Sequence, residues 1–134
     1  MFECFQSKGI GRYYCYRDDI PEFYRHCQAV IHPSYHEGMS IVLQEAAATA
    51  RPVIASDING CREIFENGVS GLAFLPQNAD SLTETIERFL LLAPEERAEM
   101  GRQARAYVEA HFDRRQVVTA YLETLGSLIG ATRC

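Results

Sequence analysis

The segment AVIHPSYHEGMSIVLQEAAATARPVIAS, residues 29–56, decides the fold. It opens with a short apolar run, 29–33, which ends at a proline and is typical of a buried strand. A loop around Glu37 and Gly38 follows, then a helix from about Ser40 to Ala50 and a second buried strand over 51–56. Two nearly all-apolar strands separated by a helix favour a parallel sheet covered on both faces.

The same alternation continues on either side of this segment. The further predicted elements are a strand (12–17), a helix (20–27), a loop with a short helix (57–68), a strand (71–75) and three helices (79–93, one that opens at Pro94, and 112–130). The predicted fold class is α/β, a Rossmann-like parallel sheet with helices on both faces. We expect one domain over 1–134, with its C-terminal helices at about 94–130. A doubly wound sheet usually has about five or six strands, so we expect a domain truncated on its N-terminal side.

Composition excludes several classes of function. The chain has 134 residues, 47% of them hydrophobic, and a formal charge of −5. No basic stripe or aromatic platform for nucleic acid is present, and the negative charge argues against anionic membranes. The five cysteines fit no zinc or redox spacing. No apolar run approaches the ~18 residues of a membrane span, and we expect a cytoplasmic protein.

The loop after the first quoted strand is the candidate site. In an open parallel sheet, ligands bind beyond the carboxyl ends of the strands. Gly38 has no Cβ and lets a ligand approach the backbone, and the backbone N–H groups of Gly38, Met39, Ser40 and Ile41 lie where a helix start attracts phosphate.

Two acids bracket that helix start. Glu45 lies about 7.5 Å along the helix axis from Ser40, an offset that suits the ribose of a nucleoside diphosphate, and Glu37 would face whatever the diphosphate carries. Because Glu45 stands between Leu43 and Ala46–Ala48, an unpaired acid there is predicted to be costly. On spacing alone, two solvated surface acids remain the alternative.

The stretch PSYHEGMSIVLQEAAATARPVIASDINGCREIFENGVSGLAF (33–74) resembles a known family. It is similar to the C-terminal donor-binding domain of retaining GT-B glycosyltransferases with a Glu-x7-Glu motif, namely glycosyltransferase family 4, or glycosyl transferases group 1. The resemblance covers roughly residues 10 to 110. It implies transfer of a sugar from a nucleotide diphosphate donor to an acceptor hydroxyl, with retention, in glycan, polysaccharide or glycolipid synthesis. No metal ion or other cofactor is implied.

The resemblance also implies residue roles. Glu37 is the catalytic candidate near the donor sugar, and Glu45 is expected to bond the ribose. The amides of residues 38–41 would meet the diphosphate, Ser34 would touch the donor, and the loop containing Tyr16 and Arg17 would line the base. His32 and His36 are not predicted to bind a metal together, because Pro33 prevents them from sharing a helix.

The chain departs from the family pattern in several places. Cys15 stands where a glycine is usual, and the segment Ala47–Pro52 lacks the usual helix-ending glycine. The family's Arg and Lys clamp on the diphosphate belongs to elements that would precede residue 1, as does the acceptor-binding domain. We therefore expect an isolated fragment to be inactive, any membrane association to depend on the absent part, and an exposed sheet edge to favour homo-oligomers. The alternatives are a non-catalytic nucleotide-sugar-binding module and a GT-B-type nucleotide-sugar epimerase.

Overall fold

The computed structural model describes residues 6–131, and its centre is a three-stranded parallel sheet. The strands are β1 (Val30–His32), β2 (Val53–Ser56) and β3 (Gly71–Phe74), in the order β1-β2-β3. β2 is buried along its whole length because it has a strand on each side and helices over both faces. The predicted parallel α/β arrangement is confirmed.

Between residues 20 and 131 the structure has five α-helices and one 3-10 turn, and the last helix is exposed along its described length. Their bounds are α1 (Ile20–His26), α2 (Ile41–Ala48), the 3-10 turn (Arg62–Ile64), α3 (Ala79–Leu91), α4 (Pro94–His111) and α5 (Arg114–Ala131). Each follows from local sequence: α2 and α3 begin at the side-chain caps Ser40 and Asn78, and α4 begins with Pro94. None of the helices in the described part of the chain is long and apolar enough to cross a bilayer.

The core has one layer on each face of the sheet, because successive residues of a strand point to opposite faces. Val53 and Ala55 of β2 belong to one apolar cluster, which α2 and α4 complete. Ile54, between them, belongs to the other cluster with Phe89 of α3. The sheet is thus covered on both faces, as the apolar strands predicted.

The predicted strand over 12–17 is wrong. These residues have no regular secondary structure, and all are exposed. β-rich composition is insufficient here because no described strand lies alongside to accept the backbone hydrogen bonds of a ladder.

The end of α2 shows how the missing glycine is accommodated. The amide of Ala50 bonds the carbonyl of Ala47 at 2.8 Å, and that of Arg51 bonds Ala46 at 3.0 Å. This is the Schellman arrangement, which requires a left-handed residue, and Ala50 supplies it with φ +55°. The hydrogen bonds and the packing around them hold an alanine in a conformation that costs about 1 kcal/mol or more relative to glycine.

Candidate functional site

The candidate site is built on the loop of residues 34–40, which joins the carboxyl end of β1 to α2. Ser34 donates its hydroxyl to the carbonyl of His36 at 3.1 Å, which stabilises the first part of the loop. The loop ends at Ser40, whose buried side chain accepts the Leu43 amide at 3.4 Å and so caps α2. The loop therefore lies at the carboxyl end of β1, as the sequence predicted, while its role as a binding site stays a prediction.

Two amides of this loop, and the first of the helix, are available to a ligand. Among the described residues, no acceptor bonds the backbone N–H of Gly38, Met39 or Ile41. The fourth predicted amide is engaged, since Ser40 donates its N–H to the carbonyl of Gly60 at 2.9 Å. The first turn of α2 carries no acid, so the positive end of its dipole is uncompensated there.

Gly60, in the segment after β2, packs directly against the backbone of the loop of residues 34–40. Its φ is +81°, and a methyl group on its Cα would lie 2.6 Å from the carbonyl oxygen of Glu37 and 2.7 Å from that of Gly38. Its own N–H donates to the carboxylate of Glu63 at 2.6 Å. Gly38, by contrast, has no atom within 4 Å of the corresponding position, so the outer side of the loop is open.

Glu37 is held by His32, to which the sequence had assigned no role in the site. Nε2 of His32, the last residue of β1, lies 2.8 Å from Oε1 of Glu37. The side chains are 20% and 27% exposed, respectively. The hydrogen bond from His32, and secondly the nearby Ser34 hydroxyl, hold the pKa of the Glu37 carboxyl below its usual value.

Glu45 lies on the exposed side of α2, and the expectation that it is embedded among apolar residues is wrong. Leu43, Ala46 and Ala47 are buried, whereas Glu45 faces outward, because the helix turns by about 100° per residue. The buried Tyr24 of α1 donates its hydroxyl to Oε2 of Glu45 at 3.3 Å. Burial, and secondly the charge of Glu45, raise the pKa of Tyr24 to about 12.

Tyr16 and Arg17 make no hydrogen bond to the loop of residues 34–40 in the described part of the chain. Arg17 donates to the carboxylate of Asp19 at 2.7 Å, and its guanidinium lies 5.5 Å from the ring centroid of Phe23 on α1. It also borders a crevice of about 420 Å³. Tyr16 is 94% exposed. Neither residue bonds the loop in the described part of the chain, so a role in lining a base remains a prediction.

The loop of residues 34–40 borders a crevice of about 330 Å³, which Tyr35 and Pro33 line together with residues of β2, β3 and α3. Neither Glu37 nor Glu45 borders this crevice. Within residues 6–131, no three side chains of His, Cys, Asp or Glu cluster as metal ligands would. The site therefore offers unbonded backbone donors at the start of α2, flanked in sequence by Glu37 and Glu45.

Comparison with known families agrees with this architecture. The sequence model of the glycosyl transferases group 1 family matches residues 12–107, and the chain belongs to that family. A Campylobacter jejuni relative, N,N'-diacetylbacillosaminyl-diphospho-undecaprenol alpha-1,3-N-acetylgalactosaminyltransferase, is 30% identical over 126 residues. That match covers 93% of this chain and 33% of the relative.

Solved structures support the same fold. Sucrose-phosphate synthase from Thermosynechococcus elongatus matches with a TM-score of 0.84 and 26% identity, over 96% of this chain and 33% of that one. Anabaena HepE, solved in complex with UDP, matches with a TM-score of 0.83 and 26% identity, over 93% and 35%. The resemblance to GT-B glycosyltransferases is confirmed. The chain spans about one third of the length of these relatives.

Proposed function

We propose that this chain is the donor-binding part of a retaining glycosyltransferase, and that it binds a nucleotide diphosphate sugar at the loop of residues 34–40. One observation carries the proposal. The unbonded amides of Gly38, Met39 and Ile41 lie at the acid-free start of α2, and in the sequence they stand between Glu37 and Glu45. Backbone donors at a helix N-terminus attract phosphate, and carboxylates on either side of them suit the hydroxyls of two sugars.

The ribose is assigned to Glu45. Its carboxylate accepts one hydrogen bond from Tyr24, and a carboxylate offers about four acceptor positions in all. The remaining positions face solvent, because Glu45 is exposed. A ribose diol that donates to them would form charge-assisted bonds, which are roughly twice as strong as neutral ones.

The donor sugar is assigned to Glu37, the proposed catalytic residue. The lowered pKa of its carboxyl favours the ionised form, which can accept hydrogen bonds from sugar hydroxyls or stabilise positive charge at the anomeric carbon. A hexose is the proposed sugar, since HepE has been solved with UDP-glucose. Retention of configuration and binding without a metal ion belong to the same proposal.

The rest of the reaction is proposed for a longer protein. The relatives are about three times as long as this chain, so we assign the acceptor site and the other wall of the cleft to a further domain. The acceptor hydroxyl would belong to a glycan, polysaccharide or glycolipid, the compartment would be the cytoplasm, and this chain alone would be inactive.

A non-catalytic binding module is the second candidate. The named relatives are transferases and synthases, which argues against an epimerase.

Glu45→Ala tests the ribose assignment. Loss of hydrogen bonds to a charged group is worth about 1.5–3 kcal/mol, so we expect UDP affinity to fall by about 10- to 100-fold. Affinity for inorganic pyrophosphate, which has no ribose, should be unchanged. Isothermal titration calorimetry on the 134-residue chain measures both.

Glu87→Ala is the matched control, because Glu87 is also an exposed helical glutamate, on α3. It should change neither affinity. If Glu45→Ala weakens UDP and pyrophosphate equally, or weakens neither, the ribose assignment is wrong.

Self-association through β1 is a separate prediction. β1 lies at the edge of the described sheet, and its Ile31 side chain is 45% exposed. An unpaired strand edge of this kind pairs readily with another chain, so we expect dimers or larger species. Size-exclusion chromatography with light scattering measures the mass, and a monomer at micromolar concentrations would contradict the prediction.

A further inference from the structure

We propose that His32 is a positioning residue that fixes the Glu37 carboxylate through Oε1 and leaves Oε2 to accept a hydroxyl of the donor sugar. The inference rests on the proposed function, because it gives Glu37 a sugar to bind. It adds a residue from outside the Glu-x7-Glu motif and specifies which carboxylate oxygen is available.

His32 is suited to this task by its place in the sheet. As the last residue of β1 it is paired in register with Ala55 of β2, and Pro33 follows it directly. Its backbone is therefore held by a strand ladder on one side and by a residue of restricted φ on the other. Glu37 lies five residues further along in an open loop and has no such support of its own.

The His32–Glu37 pair is partly shielded from water, which strengthens the hydrogen bond between the two side chains. The 2.8 Å contact lies between side chains that are only 20% and 27% exposed. A carboxylate ordered before the ligand arrives does not have to lose its rotamer freedom on binding. His32 thus contributes to sugar affinity without touching the sugar.

The other charged and titratable groups near the pair do not replace His32. Ser34 also favours the ionised form of Glu37. From the segment after β2, the buried Cys61 thiol has its pKa raised to about 11, by burial first and then by the charges of Glu37 and Glu63. Glu63 is an acid and accepts the Gly60 amide. His32 is therefore the imidazole that bonds Glu37 in the described residues.

His32→Leu tests the inference by two readouts on the full 134-residue chain. First, 13C NMR of the Glu37 carboxyl should show its pKa shifted upward from the wild-type value, because the largest stabiliser of the anion has been removed. Second, calorimetry should show UDP-glucose binding about tenfold weaker, with binding of UDP unchanged. The loss is confined to the sugar because Glu45 and the loop amides remain.

Two further variants separate positioning from general damage. His32→Gln keeps an N–H donor on a side chain of similar reach, and should restore part of both the lowered Glu37 pKa and the UDP-glucose affinity. His111→Leu removes an exposed histidine at the end of α4, outside the loop of residues 34–40, whose ring packs against that of Tyr107. It should leave both readouts at their wild-type values.

The outcomes divide clearly. An unchanged Glu37 titration in His32→Leu overturns the inference, as does an equal loss of UDP and UDP-glucose affinity, which would indicate a merely structural role. If the wild-type chain binds neither ligand, the proposed function fails for this chain, and the Glu37 titration still decides whether His32 fixes the carboxylate. If His32→Leu does not fold, the Glu37 pKa and the UDP-glucose affinity are compared between His32→Gln and the wild type instead.

Discussion

Replacing Gly60 with alanine is expected to lower the free energy of unfolding by about 2–5 kcal/mol, the largest effect that we predict for a single methyl group. Two terms add. A left-handed alanine costs about 1–2 kcal/mol, and Gly60 has φ +81°. Overpacking costs about 1–3 kcal/mol, and the new methyl would lie 2.6 and 2.7 Å from the carbonyl oxygens of Glu37 and Gly38. Urea denaturation, followed by circular dichroism, measures the change.

Gly68→Ala separates the two terms. Gly68 has φ +85°, but nothing lies within 4 Å of the methyl position, so only the conformational term of about 1–2 kcal/mol applies. If both variants are destabilised equally, the contact between Gly60 and the loop of residues 34–40 is not what destabilises Gly60→Ala.

The Gly60 variant should also lose donor binding. Displacement of the Glu37 and Gly38 carbonyls moves the loop, and it strains the 2.9 Å bond from the Ser40 amide to the Gly60 carbonyl. We therefore expect UDP affinity to fall in Gly60→Ala even under conditions where the variant remains folded, and to be unchanged in Gly68→Ala. Calorimetry at low temperature in the absence of denaturant makes this comparison.

Gly101→Ala is the second large effect. Overpacking at about 2–3 kcal/mol exceeds the gain of about 1 kcal/mol that alanine has over glycine in a helix interior, so we expect the free energy of unfolding to fall by about 1–2 kcal/mol. Gly101 is a buried residue of α4 that packs against the end of α2. A methyl group there would overlap the carbonyl oxygen of Ala50 and lie 3.3 Å from Cδ of Pro52. The neighbour is backbone fixed by the Schellman hydrogen bonds, so it cannot move aside without loss of those bonds. Thermal unfolding monitored by calorimetry measures the difference.

Gly126→Ala is the control for which the change in the free energy of unfolding should have the opposite sign. Gly126 lies in α5 with nothing within 4 Å of its methyl position, and alanine is favoured over glycine in a helix interior by about 0.8–1.0 kcal/mol. It should be neutral or stabilising. A Gly101→Ala protein as stable as wild type would show that α4 and α2 can separate at no measurable cost.

Most of the fold could be predicted from local pattern. The apolar runs at 29–33, 51–56 and 71–75 are strands in the structure, within two residues at each end. Helices α3 and α4 begin where expected, because Asn78 and Pro94 are local signals, and α5 begins at Arg114, two residues after its predicted start. The segment 12–17 was mispredicted because a strand exists only where a neighbour accepts its hydrogen bonds. Ala50 shows the converse, since its left-handed conformation comes from the contacts around it and not from its own preference.

The sequence by itself determined the family, the order of the elements, and a loop with a helix start between Glu37 and Glu45, because these depend on residues that are adjacent or one helix apart. Only the tertiary structure revealed that His32 bonds Glu37, that Tyr24 bonds Glu45 and that Gly60 supports the loop. These contacts join residues from different elements, and their distances follow from how the strands and helices pack, which no local pattern of residue types records.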